Sequence, residues 1–285
     1  MRKVQKVAKK ERVIGGAAFG NTVVRYAISC VGERRTKGKM KVRSKRLAAL
    51  AIFVVACAST AYFLLFLPAE MPVVMRCDER SDEEVIDLPA PRTKGEMSVE
   101  EAIASRRSVR SFTEEPLNLC EIAQLLWSAQ GITDPVWKKR AAPSAGATYP
   151  LEVYVVVGNN SVVGLKEGVY HYDPHTHRIE KVKEEDIREE LCDAAVGQEW
   201  VKNAPVDFVI CAIYERTTQR YGERGIRYVH MEAGHAAQNM YLQCESLGLG
   251  MVVVGAFWDK RVQELLNTTA EPLYIIPVGH PKPKQ

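Results

Sequence analysis

Three guanidinium groups and a hydroxyl fall within five residues at Arg106, Arg107, Ser108 and Arg110. Arginine presents its donors as a rigid fork that matches phosphate oxygens, each charge-assisted bond contributing about 1.5–3 kcal/mol. The pattern suits anion binding, and by itself it fits a solvated basic turn as well. A second stretch, residues 143–150, reads Pro-Ser-Ala-Gly-Ala-Thr-Tyr-Pro. Its small side chains let backbone amides come close to a flat ligand, with a plain structural connection as the alternative. The glycines at 248, 250 and 255 do not make a dinucleotide fingerprint, which must leave a strand and open a helix; these leave a helix and enter a strand. His171, His175 and His177 lie on one hairpin without the ligand spacing of a metal site and read as solvent-exposed turn residues. His230 and His235, five apart, do not give the spacing of a zinc-binding helix and read as surface or packing residues. No metal site is expected.

These groups need elements to hold them. Val229, Ala233, Ala236, Met240, Cys244 and Leu247 recur at helical spacing and predict one long helix that Gly248 ends. Residues 251–254 then read as a buried strand. Gly234 costs a helix about 1 kcal/mol relative to alanine. With Ala233, Ala236 and Ala237 it makes a stripe of small residues that suits a subunit contact, or an ordinary core helix. Ser98 with Glu101, and Asn118 with Glu121, have the spacing of capping boxes and open two further helices, the second ended by Gly131. Strands are predicted at 151–157, 206–214 and 273–278, a hairpin at 168–182 turning at Asp173-Pro174, and short helices at 185–196 and 259–267. The irregular mixture predicts an α+β fold, a mixed, mainly antiparallel sheet flanked by helices.

The 285 residues carry a net charge of +4, almost all of the excess lying at the amino end. The folded part is therefore not expected to bind nucleic acid. Residues 1–46 form a basic segment, and residues 47–67 contain no charged side chain. As a helix that run is roughly 30 Å long, the hydrocarbon thickness of a bilayer, and it predicts one transmembrane helix or signal anchor. The stretch from Met40 also has the form of a cleavable signal peptide. The basic flank places the carboxyl-terminal domain outside the cytoplasm, an orientation that protease access to a reporter fused at Gln285 would test. Residues 68–97, with four prolines, read as a linker, and 98–285 as the folded domain. The seven cysteines are scattered and support neither a disulfide framework nor a zinc site.

Six motifs in this order resemble the FMN-dependent nitroreductase family, in its branch of SagB-type (azoline) dehydrogenases. They are RRSVRSF (106–112), APSAGATYPLE (141–152), GVYHYDP (168–174), RYGERGIRYVHMEAGHAAQNMYLQ (220–243), GLGMVVVGAF (248–257) and PVGHP (277–281). The resemblance implies a nitroreductase-like fold and a homodimer with FMN at the subunit interface. It would have Arg106, Arg107, Ser108 and Arg110 hold the phosphate and ribityl chain, with Lys282 reaching the phosphate. Pro143, Ser144, Ala145 and Gly146 would lie along the isoalloxazine ring, and backbone amides near Val254, Gly255 and Ala256 would face its N5 and O4. Classical members have an asparagine where Ala147 aligns. The implied chemistry is ping-pong transfer through flavin N5, from NAD(P)H or a membrane electron donor to a nitroaromatic, quinone or other small-molecule acceptor. Azoline dehydrogenases of modified peptides carry a Lys-Tyr pair; Arg220-Tyr221 occupies that place, and of the two only Tyr221 suits proton transfer as a catalytic residue. A membrane-tethered flavin-binding module without turnover is the non-enzymatic alternative.

Overall fold

The computed structural model describes residues 84–283. The predicted transmembrane run at 47–67 and the basic segment before it lie outside the described residues. Among the residues described, no helix is long and apolar enough to cross a membrane. In chain order the elements are β1 (Val85–Asp87), α1 (Val99–Ser105), β2 (Leu117–Asn118), α2 (Leu119–Gln130), β3 (Ile132–Asp134), β4 (Lys139–Arg140), β5 (Leu151–Val157), β6 (Val162–Val163), β7 (Gly168–Asp173) and β8 (Arg178–Lys183). They continue with α3 (Arg188–Ala194), α4 (Glu199–Asn203), β9 (Val206–Ala212), α5 (Glu215–Tyr221), α6 (Arg224–Leu247), β10 (Gly250–Met251), α7 (Asp259–Leu266) and β11 (Glu271–Gly279).

Local chemistry accounts for the helix starts. The Ser98 hydroxyl accepts from the Glu101 amide at 3.1 Å while the Glu101 carboxylate accepts from the Ser98 amide at 2.8 Å. Asn118 and Glu121 repeat the exchange at 3.0 and 2.8 Å at the head of α2. α6 ends where Gly248 takes a left-handed φ of 72°, which a residue without a Cβ adopts freely.

Seven strands form one sheet in the order β1-β8-β7-β5-β9-β11-β10, every neighbouring pair antiparallel. Alternation along β5 and β9 divides the core between two faces. Val153, Val155, Phe208 and Ile210 face α2 and α6, whereas Tyr154, Val156, Val209 and Cys211 face α3 and α7. The stretch read as linker departs from that reading at its end. Ile86 is buried and β1 pairs with β8, so the sheet gains an edge strand too short for its alternation to show in the sequence. Cys120, in the first turn of α2, is disulfide-bonded, a pairing the scattered cysteines did not indicate; Cys192, Cys211 and Cys244 are buried thiols. Of the hairpin histidines, His175 is exposed in the turn as read, but His171 and His177 are not free. His171 Nε2 meets Glu152 at 2.6 Å, and His177 bonds the Tyr172 hydroxyl at 2.9 Å and the Pro89 carbonyl at 3.0 Å.

Candidate functional site

Residues 106–110 leave α1 as an extended segment laid against β10. The Val109 amide donates to the Met251 carbonyl at 2.8 Å, and Ser108 and Met251 form a parallel bridge. The approach requires glycine at 250, where a Cβ would stand 2.8 Å from the Val109 side chain. Tyr241 of α6 ties the parts together. Its hydroxyl bonds Ser108 Oγ at 3.0 Å and accepts from the Val253 amide at 3.2 Å, and the Arg106 guanidinium lies over its ring at 5.0 Å. Arg110 lies over the ring of Trp200 at 5.5 Å. Arg107 turns back, donating to the carbonyls of Ala104 and Arg106 at 3.0 and 2.7 Å. None of the three arginines forms an ion pair among the described residues. Lys282 arrives beside them, its amide donating to the Ser111 carbonyl at 3.0 Å. Arg106, Arg110 and the Ser108 hydroxyl thus lie along one segment, with the backbone of Lys282 joined to the next residue, and their donor types fit a phosphate.

Beyond β10 the chain supplies backbone donors. Val254 is not one of them: its amide is bonded to the Ile275 carbonyl at 2.8 Å, through a bridge to β11. The amides of Gly255 and Ala256 make no hydrogen bond among the described residues, and both residues are exposed. Gly255 lines a cavity of about 370 Å³ together with Tyr214, His230, Ala233, Phe257 and Tyr274. Tyr214, which the sequence did not single out, and His230, read there as a surface or packing residue, bond through the tyrosine hydroxyl and Nε2 at 2.5 Å. Burial pushes the Tyr214 hydroxyl up to about 12, so it stays protonated at neutral pH.

A second group forms around the loop at 143–150. Gly146, Ala147 and Tyr149 all adopt positive φ, at 60°, 54° and 46°. Non-glycine residues hold such angles only where their surroundings enforce them, at roughly 1–3 kcal/mol each. The restraints come from α5: Arg220 Nη1 donates to the Gly146 carbonyl at 3.2 Å, Arg216 Nη1 to the Tyr149 carbonyl at 3.1 Å, and Thr148 and Thr217 share a 2.8 Å hydroxyl bond. Within the loop the Tyr149 amide donates to Ser144 Oγ at 2.9 Å. A Cβ at Gly146 would stand 2.5 Å from the Tyr221 hydroxyl, so the expected catalytic tyrosine abuts the loop expected to carry the ring. The predicted residues therefore assemble as two groups. Arg106, Arg107, Ser108, Arg110 and Lys282 gather near β10 and the carboxyl-terminal end of α6, while Pro143, Ser144, Ala145, Gly146 and Tyr221 gather at α5. Glu232, buried on α6, and Tyr241, which bonds Ser108, lie nine residues apart on that helix, roughly 13 Å along its axis.

Residues 103–280 match the model of the nitroreductase family. The chain is 50% identical over 184 residues to a Methanocaldococcus jannaschii protein provisionally named a nitroreductase, covering 65% of this chain and 91% of that one. It is 30% identical to the microcin B17-processing protein McbC of Escherichia coli over 165 residues, 56% of this chain and 61% of McbC. To an NADPH-dependent FMN reductase of Bacillus subtilis the identity is 27% over 197 residues, 64% of this chain and 65% of the reductase. Among solved structures, one provisionally named a nitroreductase from Ralstonia eutropha JMP134 superposes with a TM-score of 0.62 at 30% identity, covering 73% of this chain and 95% of that one.

Proposed function

The chain belongs to the nitroreductase family, and from that premise we propose that it is an FMN-dependent oxidoreductase drawing electrons from NAD(P)H and delivering them to a small nitroaromatic or quinone-like acceptor. Bound FMN supplies reversible two-electron chemistry at its ring, and the protein supplies binding, orientation and electrostatics. The observation that carries the reading is the 106–110 segment: guanidinium groups without ion pairs, clamped to Met251 over Gly250 and joined by Lys282. Arg106, Arg110, Ser108 and Lys282 would hold the phosphate end. Free amides at Gly255 and Ala256 would stabilise negative charge on the ring without a dedicated acid, and the small residues at 143–146 would lie along it.

Two such groups on one chain suit a site closed by a second copy. The outer face of α6 supports a homodimer, since Ile226 and Met231 are 44% and 52% exposed and nothing lies within 4 Å of a Cβ built at Gly234. Size exclusion of the purified protein with absorbance detection tests both points. A yellow dimer that releases FMN on denaturation is the expected result. A folded, colourless protein that takes up no added FMN would overturn the reading.

The Tyr221 hydroxyl favours a second reading, azoline oxidation in a modified peptide, to which the likeness to McbC also lends support. Tyr221→Phe separates the two. If Tyr221 transfers a proton in azoline oxidation, the variant keeps its FMN and loses roughly 10²–10⁴-fold in turnover of a thiazoline peptide. Reduction of a nitroaromatic should change far less, because the amides near 255 do not depend on that hydroxyl. Equal losses with both substrates would remove the tyrosine from any specific role in peptide oxidation.

A further inference from the structure

The cavity beside Gly255 holds a pair of titratable groups that the flavin reading leaves unused. The amides of Gly255 and Ala256 make no hydrogen bond among the described residues; they can stabilise charge but cannot give up a proton. Tyr214 and His230 line the same cavity as Gly255, together with the aromatic side chains of Phe257 and Tyr274. Tyr214 is the residue that precedes α5, and His230 lies in the second turn of α6. Their 2.5 Å bond holds the two rings edge to face, with centroids 5.7 Å apart at 88°. His230 is exposed and Tyr214 is half-buried, so the pair runs from solvent to the cavity.

Proton bookkeeping gives this arrangement a use. Reducing a quinone to a hydroquinone adds two electrons and two protons. A hydride brings both electrons and one of the protons, so the second proton needs another donor. A protonated His230 donates from Nε2 to the tyrosine oxygen, which leaves the phenolic O–H free to point at a ligand in the cavity. As that O–H bond breaks and one forms on the acceptor oxygen, the Nε2 proton passes to Tyr214 and His230 recovers its own from water. The two transfers must be coupled. Burial, with the charges of Glu271 from β11 and Asp259 from α7, both on the cavity wall, disfavours a free phenolate.

We propose that Tyr214 is the proton donor to the acceptor and that His230 returns its proton from solvent. The inference rests on the flavin reading above and names the acid which that reading lacks.

The test reduces the FMN-loaded protein with dithionite and follows its reoxidation by duroquinone or by ferricyanide, in the wild type, Tyr214→Phe and His230→Ala. Ferricyanide takes electrons without protons and is the control. Reoxidation of Tyr214→Phe by duroquinone should slow roughly 10²–10⁴-fold, the range of general acid catalysis, while reoxidation by ferricyanide stays as in the wild type. His230→Ala should also slow with duroquinone alone, and added imidazole should restore part of the rate. Duroquinone titrated into the oxidised protein gives a readout apart from turnover: Tyr214→Phe should weaken its binding roughly three- to tenfold, the worth of one hydrogen bond. Equal slowing with both acceptors, accompanied by a lower unfolding temperature, would make the pair a staple between α5 and α6 and overturn the proposal. An unchanged duroquinone rate in Tyr214→Phe would overturn it as well, and a His230→Ala defect that imidazole leaves untouched would remove the relay. If the wild type takes up no FMN, the flavin reading fails and the proposal falls with it; an FMN-loaded protein with any of the other adverse results loses the proposal alone.

Discussion

Replacing Arg106 and Arg110 together with alanine lowers the affinity for FMN by about 10²–10⁴-fold, the loss of two charge-assisted bonds at roughly 1.5–3 kcal/mol each. Both guanidinium groups are pre-positioned, over the rings of Tyr241 and Trp200, so little side-chain entropy opposes their binding an anion. Neither has a carboxylate partner to compete with a phosphate. Arg107 differs, being already bonded to the carbonyls of Ala104 and Arg106, and its replacement should cost less than either of the others. The backbone of the segment is held by Val109, Ser108 and Gly250, not by the guanidinium groups, so unfolding of the apoprotein should change by less than about 0.5 kcal/mol. Riboflavin, which lacks the phosphate, provides the control in a fluorescence-quenching titration. It should bind the double variant and the wild type alike. Equal loss of FMN and riboflavin would place these arginines elsewhere than at the phosphate, and unchanged FMN affinity would return them to a solvated basic turn.

The elements that hold these groups were readable because they depend on local patterns. The apolar stripe from Val229 to Leu247 is a periodicity, and the pairs Ser98/Glu101 and Asn118/Glu121 satisfy orphan amides three residues away. What the sequence hid depends on partners brought close only by the sheet. Tyr241 meets Ser108 across 133 positions. Glu232 looks like a solvated helix residue until α6 is packed against the loop at Ser144. Tyr214 and His230 lie on opposite sides of the α5–α6 turn, with nothing in their spacing to pair them. The amide of Val254 was expected to face the ligand, but the bridge to Ile275 claims it, and that bridge is set by the register of β11. Motif resemblance found the Arg106–Arg110 and Gly146 clusters because each is contiguous; it could not show that Tyr221 stands against Gly146, since the two are joined only through α5.

Replacing Asp207 with valine stabilises the protein, by about 1–3 kcal/mol at neutral pH, the cost of a buried polar group without partners. Asp207 lies in β9 between Val156 of β5 and Pro277 of β11, is fully buried, and neither carboxyl oxygen has a hydrogen-bond partner. Arg188 is near enough to act on it by charge, but its guanidinium is engaged with Asp186 at 2.7 Å and the Ala204 carbonyl at 2.7 Å. Burial therefore holds the Asp207 carboxyl well above the usual carboxylate range despite the pull of Arg188. For an acid raised in the folded state, both states are protonated below the unfolded value of 3.8, and no penalty exists there. As pH rises above that value the unfolded chain releases its proton while the folded one keeps it, and stability declines until the folded group ionises too. Asp207→Val removes both the desolvated carboxyl and this decline, and a β-branched residue suits the strand. At about 2–4 °C per kcal/mol for a domain of this size, the midpoint should rise by several degrees at pH 7.5 and by less at pH 4.5. Asp207→Asn isolates the proton: it should flatten the pH dependence while keeping a buried polar group, and so gain less than valine. Glu232 imposes a decline of the same sign between 4.5 and about 7, so each variant is compared with the wild type at every pH. If both Asp207 variants unfold earlier than the wild type at pH 7.5, the charge attraction to Arg188 outweighs desolvation, and Asp207 is an ionised structural partner and not a neutral acid.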